Sequence, residues 1–179
     1  RRGTAPRARN EGVSADSYSL GARYYWNESR SARVNVQGMS FSDGNQRLGL
    51  DAGITQRLWQ EFTHYVDGTA SVYVGGNSKD EDRPYFNPKA EAEVGGSLTY
   101  GAVLWRHYDK ALSHAATVGM SGYGQRDYGV KPAFSVAYGQ NLDWTDRFSV
   151  AYGAGFDRRP YDGEQENTVN VFINMSWKF

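Results

Sequence analysis

Three histidines, twenty carboxylates and no cysteine set the limits on the chemistry this chain of 179 residues can perform. Without thiols there is no disulfide, no thiolate metal site and no cysteine nucleophile. His64, His107 and His114 are the candidate general bases, but such catalysis needs a histidine paired with an acid or serine at a site a substrate can enter. His107 and Asp109 are close in sequence yet flank a tight connection, where a histidine is commonly only interfacial. The histidines and Asp109 also make a poor ligand set for a metal, and no phosphate-cradling loop appears. The sequence therefore predicts no enzyme, no metal site and no cofactor.

What remains is the chemistry of fields and flat rings. Asp51, Glu91, Glu93, Asp127 and Asp157 fall on polar faces toward one end of the sequence's extended segments, while Arg23, Arg33, Arg57, Arg147 and Lys178 gather at the other, with Asp67 as the acidic exception. Carboxylates lining a confined aqueous space attract cations and focus the field. Paired across strands, the same charges would simply hold a wall in place. Parity also sends Tyr25, Tyr73, Tyr123, Trp59 and Trp105 to the polar faces, where rings either stack on the C–H faces of sugars or fill space. The formal net charge is zero, so no overall basic field argues for a nucleic-acid partner.

The elements that place these groups are strands. Period-two alternation recurs from Ser17 to the end, and no helical period is sustained. Val169, Val171, Ile173, Met175, Trp177 and Phe179 oppose Asn170, Asn174, Ser176 and Lys178, with Phe172 the exception. Upstream, Phe148 to Phe156, Phe134 to Tyr138, Ala116 to Met120, Ala92 to Leu104, Ala70 to Val74, Leu48 to Ile54, Val34 to Val36 and Tyr18 to Trp26 repeat the pattern, making nine strands. Ten steps from Val169 to Phe179 span roughly 33 Å, or about 25 Å once tilted, the height of the apolar band of an outer-membrane barrel. Strands of soluble sandwiches are usually shorter. Few aliphatic residues, 21 glycines and 13 tyrosines suit a barrel with a polar lumen.

Connections sort by length. Trp26 to Ala32, Leu58 to Tyr65, Trp105 to Ser113 and Leu142 to Arg147 lie on one side. The longer Gly75 to Lys89, Gly122 to Lys131 and Asp157 to Asn167 lie on the other, with the short Ser42 to Gln46. Barrels of this kind have short periplasmic turns and longer outer loops. Trp26, Trp59, Trp105, Trp144 and Trp177 all sit at the short-turn rim, where indoles anchor at lipid headgroups. The expected fold is all-β: a transmembrane antiparallel up-and-down β-barrel of outer-membrane type. Residues 1–16 are expected to be an extracellular loop or disordered stretch, and 17–179 the strands. Nine is odd, whereas single-chain bacterial barrels close on even numbers, so the chain reads as the C-terminal part of a larger barrel. Arg1, Arg2, Arg7 and Arg9, with Pro6, make a poor lipid-facing strand and could contact lipopolysaccharide phosphates. The stretch from Arg1 to Arg9 also lacks the apolar run of a signal peptide. The segment Gly76 to Lys89, with Lys79, Asp80, Glu81, Asp82, Arg83, Pro84 and Pro88, either folds into the mouth as a gate or stays outside.

Certain motifs go further. Arg83-Pro84-Tyr85-Phe86-Asn87-Pro88-Lys89, Leu104-Trp105-Arg106-His107-Tyr108-Asp109-Lys110 and Gly122-Tyr123-Gly124-Gln125-Arg126-Asp127-Tyr128-Gly129 occur in order. Tyr138-Gly139-Gln140, Arg159-Pro160-Tyr161-Asp162-Gly163-Glu164 and Met175-Ser176-Trp177-Lys178-Phe179 follow. In this order and spacing the chain resembles the outer-membrane porins that export poly-β-1,6-N-acetylglucosamine, a biofilm exopolysaccharide. The resemblance implies a barrel of about sixteen strands preceded by a periplasmic repeat domain that binds the polysaccharide deacetylase, and a partly deacetylated, cationic amino-sugar polymer as cargo. Partners then expected are that polysaccharide, outer-membrane lipid and lipopolysaccharide, the remainder of the barrel and the repeat domain. Asp51, Glu91, Glu93, Asp127, Asp157, Tyr73 and Tyr123 are the candidate substrate path. A cellulose-type export porin, a general diffusion porin and a non-transporting anchor or adhesin are the alternatives.

Overall fold

A computed structural model describes residues 12–79, 85–161 and 164–178. The expectations placed on the N-terminal arginines, on Asp80 to Pro84 and on Phe179 lie outside these residues. Among the described residues nine strands follow one another: β1 Ala15–Asn27, β2 Arg30–Phe41, β3 Gln46–Glu61, β4 His64–Asn77, β5 Ala90–His107, β6 Lys110–Gln125, β7 Gly129–Asp143, β8 Phe148–Tyr161 and β9 Glu164–Trp177. They form a single antiparallel sheet in sequence order, and no helix occurs among the described residues.

Alternation dictates two unlike faces, because residues paired across strands share a face. On one, Leu98 pairs with Val118, Val118 with Val136, Val136 with Phe156 and Phe156 with Val169. This face has no covering layer: Leu20 and Val171 are 78% and 79% exposed. Only Phe41, Ala102, Tyr123 and Ala133 form a buried apolar core among the described residues. A continuous aliphatic surface of this extent requires an apolar solvent. On the other face lie Ser, Thr, Gly and charged residues, with cross-strand hydroxyl bonds such as Thr55–Thr69 and Thr99–Thr117, each 2.9 Å.

Three β-bulges interrupt the ladders, between Tyr25 and Asn27, Arg57 and Trp59, and Val103 and Trp105. All three lie next to the short turns and each carries a tryptophan. A bulge adds one residue and shifts the alternation beyond it. Trp59 therefore pairs with Val66 and Trp105 with Leu112, on the apolar face, which corrects the inward placement that parity gives them. Trp26 stacks edge-on to Tyr24 at 5.2 Å, Trp177 packs on Phe148 at 5.4 Å, and the Lys110 ammonium sits 4.3 Å over Trp144. All five indoles thus ring the short-turn edge of the apolar face.

Loop lengths also need correction. The polar stretches Gly122 to Lys131 and Asp157 to Asn167 are strand for most of their length, since β6 runs to Gln125 and β8 to Tyr161. Gly, Tyr and Arg at these positions continue the pleat because the ladder supplies their partners. The turn at 126–128 is tight, with Asp127 and Gly129 in the left-handed region at φ 78° and 70°. Only the β4–β5 connection is long.

The sheet is open. Among the described residues β1 and β9 each have one neighbour, so each presents a row of backbone donors and acceptors that hydrocarbon cannot satisfy. In a bilayer both edges require further strands.

Candidate functional site on the polar face

Toward the long-loop rim, the rows of inward residues converge on two carboxylates. Glu91 is 6% exposed. One oxygen accepts the Tyr73 hydroxyl at 2.7 Å and is ion-paired with Arg47, which also donates to the Tyr73 oxygen at 3.4 Å. The other accepts the Tyr123 hydroxyl. Strand register explains the convergence: Gly75, opposite Glu91, leaves the space into which Tyr73 and Glu91 lean. Glu93 accepts Ser121 Oγ at 2.6 Å and is ion-paired with Arg159 of β8. The Arg159 guanidinium lies 4.3 Å over the Tyr123 ring.

Glu91 and Tyr123 are thus buried and held by side-chain partners on neighbouring strands. Tyr123 is 1% exposed beneath Arg159, so its ring has no face to offer a sugar. Asp51 is paired with Arg33 at 3.5 Å, half-open to the lumen side. Arg57 grips Asp67 with two bonds, 2.5 and 3.2 Å, over the Tyr65 ring at 4.4 Å. Arg23 donates to Tyr25 at 3.3 Å. Arg147 and Lys178 sit at the short-turn rim, joined through the Lys178 N–H to the Arg147 carbonyl at 2.9 Å. Asp127 occupies the exposed β6–β7 turn rather than a lumen-facing strand position. Asp157 is half-buried on the polar face and accepts the Asn170 amide at 3.2 Å.

Sequence reasoning missed Asn45, which is 0% exposed. Its amide donates to Asn87 at 2.7 Å, Tyr85 at 3.1 Å and Asn77 at 3.3 Å, and its oxygen accepts Ser78 Oγ and the Lys79 N–H. Phe41 stacks on Tyr85 at 4.3 Å, and Phe86 meets Tyr161 edge-on at 5.1 Å. The described end of the β4–β5 connection is thereby tied both to the β2–β3 turn and to β8. Its signal was the motif Tyr85-Phe86-Asn87, whose partners are too distant in sequence to read. Arg47 and Arg159 were likewise missed as partners, since a charge's cross-strand neighbour depends on register.

Below this network a trough of about 550 Å³ runs across β4 to β9, floored by small residues such as Gly95, Ser97, Gly119 and Ser135 and edged by Glu93, Arg159, Asp157 and Asn170. Its lining is mostly polar, with charge fixed at its rims.

All 179 residues match the family model described as the PgaA membrane beta barrel domain. The poly-beta-1,6-N-acetyl-D-glucosamine export proteins of Escherichia coli K12 and O157:H7 are each 30% identical over 173 residues, covering 97% of this chain and 21% of theirs. The chain thus spans about a fifth of the length of the curated relatives it matches. A solved structure titled bacterial polysaccharide outer membrane secretin superposes with a TM-score of 0.90 at 29% identity, over 97% of this chain and 59% of that one.

Proposed function

This chain belongs to the PgaA membrane β-barrel domain family, an outer-membrane β-barrel, and from that premise we propose that its polar face is part of the wall of a conduit exporting poly-N-acetylglucosamine. The observation that carries this reading is the two-faced open sheet: an uncovered aliphatic face backed by a continuous hydroxyl- and charge-bearing one. An anchor would need no such wetted trough. Transport is passive here, set by pore width and lumen charge.

The cargo is read as partly deacetylated and cationic. Because Asp51, Glu91 and Glu93 are ion-paired with Arg33, Arg47 and Arg159, their charge is compensated locally, and attraction of cationic units falls chiefly to Asp157 and Asp127. Tyr73 remains half-buried beside the path. The five rim tryptophans act as interface anchors at the inner leaflet, and lipid and lipopolysaccharide cover the apolar face. Further strands complete the barrel at β1 and β9, and a periplasmic repeat domain that binds the polysaccharide deacetylase precedes it.

Single-channel conductance of the full-length protein tests this. Block by deacetylated but not acetylated glucosamine oligomers supports an amino-sugar exporter. Insensitivity to both indicates a general porin, and absence of conductance an anchor.

A further inference from the structure

Phe172 breaks the alternation of β9: it lies on the polar face, yet is 45% exposed. Its register explains how. It pairs with Gly153, itself opposite Gly139, and a Cβ at either glycine would meet the Phe172 ring. The ring therefore lies along bare backbone. Several other inward rings are covered: Tyr65 by Arg57, Tyr123 by Arg159, and Tyr161 by Phe86. Among the described residues no ring or cation stacks on Phe172.

One inward position before Phe172 is Asn170, which donates to Asp157. Both line the trough, as does Thr168, the partner of Asp157 across β8 and β9. Asp51, Asp67, Glu91 and Glu93 each have an arginine, whereas among the described residues no Arg or Lys pairs with Asp157. Four residue steps separate Thr168 from Phe172, about 13 Å of strand. Asn170 lies two residue steps from Phe172, about 7 Å of strand, and its amide reaches the Asp157 carboxylate. A flat apolar face next to a carboxylate, an amide and a hydroxyl is the donor and acceptor set that a pyranose presents in reverse: C–H groups on one face, hydroxyls around the edge.

We infer that Phe172, Asp157 and Asn170 form a pyranose-binding subsite at the periplasmic end of the trough, selective for a hexosamine with a free amine. The inference deepens the conduit reading and rests on it. The ring of the sugar lies on Phe172 and its edge hydroxyls bond to Asn170 and Asp157. The uncompensated charge of Asp157 adds attraction for an ammonium group, because a carboxylate–ammonium bond is stronger than one to a neutral donor.

The test is the residence time of single-channel blockades in the full-length protein, with β-1,6-linked glucosamine pentasaccharide in its fully acetylated and fully deacetylated forms. Wild type should hold the deacetylated form longer. Phe172→Ala should shorten both residence times about fivefold, and Phe172→Leu, which keeps an apolar cover over the glycines, should do the same. Asp157→Asn, nearly isosteric, should abolish the preference between the two forms, a loss of about tenfold for the amine. Wild-type block with Phe172→Leu and Asp157→Asn both unchanged overturns the subsite while leaving the conduit standing. Absence of block in wild type overturns the conduit reading, and the subsite with it.

Discussion

Replacing Glu91 by alanine strands three donors at once. Arg47 loses its counter-ion, and the hydroxyls of Tyr73 and Tyr123 lose their acceptor. The carboxylate side chain is only 2% exposed and that of Arg47 19%, so water replaces little of what is lost. Removing one partner of a buried pair costs about 3–5 kcal/mol. Because Arg47 borders the hydrated lumen, the lower end applies, about 3 kcal/mol. At a slope of roughly 2 kcal/mol per molar urea, the midpoint should fall by about 1.5 M, read as loss of the heat-modifiable folded band of the full-length protein in detergent. Glu91→Gln keeps an acceptor for the tyrosines and should lose less. The double variant Arg47→Met, Glu91→Leu should recover much of the loss, since apolar replacement of a buried pair is often neutral. A Glu91→Ala midpoint within 0.3 M of wild type, or a double variant as weak as the sum of the single ones, would refute the view that this cluster holds the wall.

Arginine at Val118, on the apolar face, should cost about 2–4 kcal/mol of membrane stability, whereas arginine at the neighbouring Thr117 should cost far less, as measured by unfolding in liposomes. Asn45→Ala should release the described end of the β4–β5 connection and raise its cleavage by added protease, with a stability loss of about 1–3 kcal/mol from the orphaned amides and hydroxyl. Gly101→Val should slow barrel assembly, because the Tyr65 ring occupies the space its side chain would need; the fraction of folded protein against time reads this.

Element type and number were legible because a period of two needs no information from elsewhere in the chain: Val169 to Trp177 declares its two faces by itself. The bulges were not. Nothing local to Arg57-Leu58-Trp59 fixes that two residues there oppose one on β4, so the parity of Trp59 and Trp105 could not be read, although their position at the rim could. Loop lengths failed for a related reason, since Gly122 to Gln125 and Arg158 to Tyr161 are poor in β-branched residues and are held as strand by the neighbouring ladder. The charge pattern was legible as a set of residues and not as pairs. Glu93 and Arg159 lie 66 positions apart by number and three strands apart in the sheet, and only curvature brings them together. Phe172 stood out as an exception, but its meaning depended on Gly153 and Gly139 facing it.

The most direct test is alternate-residue labelling. The chain contains no cysteine; with any cysteine elsewhere in the full-length protein replaced by serine, single cysteines at Ser97, Leu98, Thr117, Val118, Ser135 and Val136 can each be probed in the membrane with a small, water-soluble maleimide. Labelling at Ser97, Thr117 and Ser135 with protection at Leu98, Val118 and Val136 is the expected result. Labelling of the second set with shielding of the first would contradict the account.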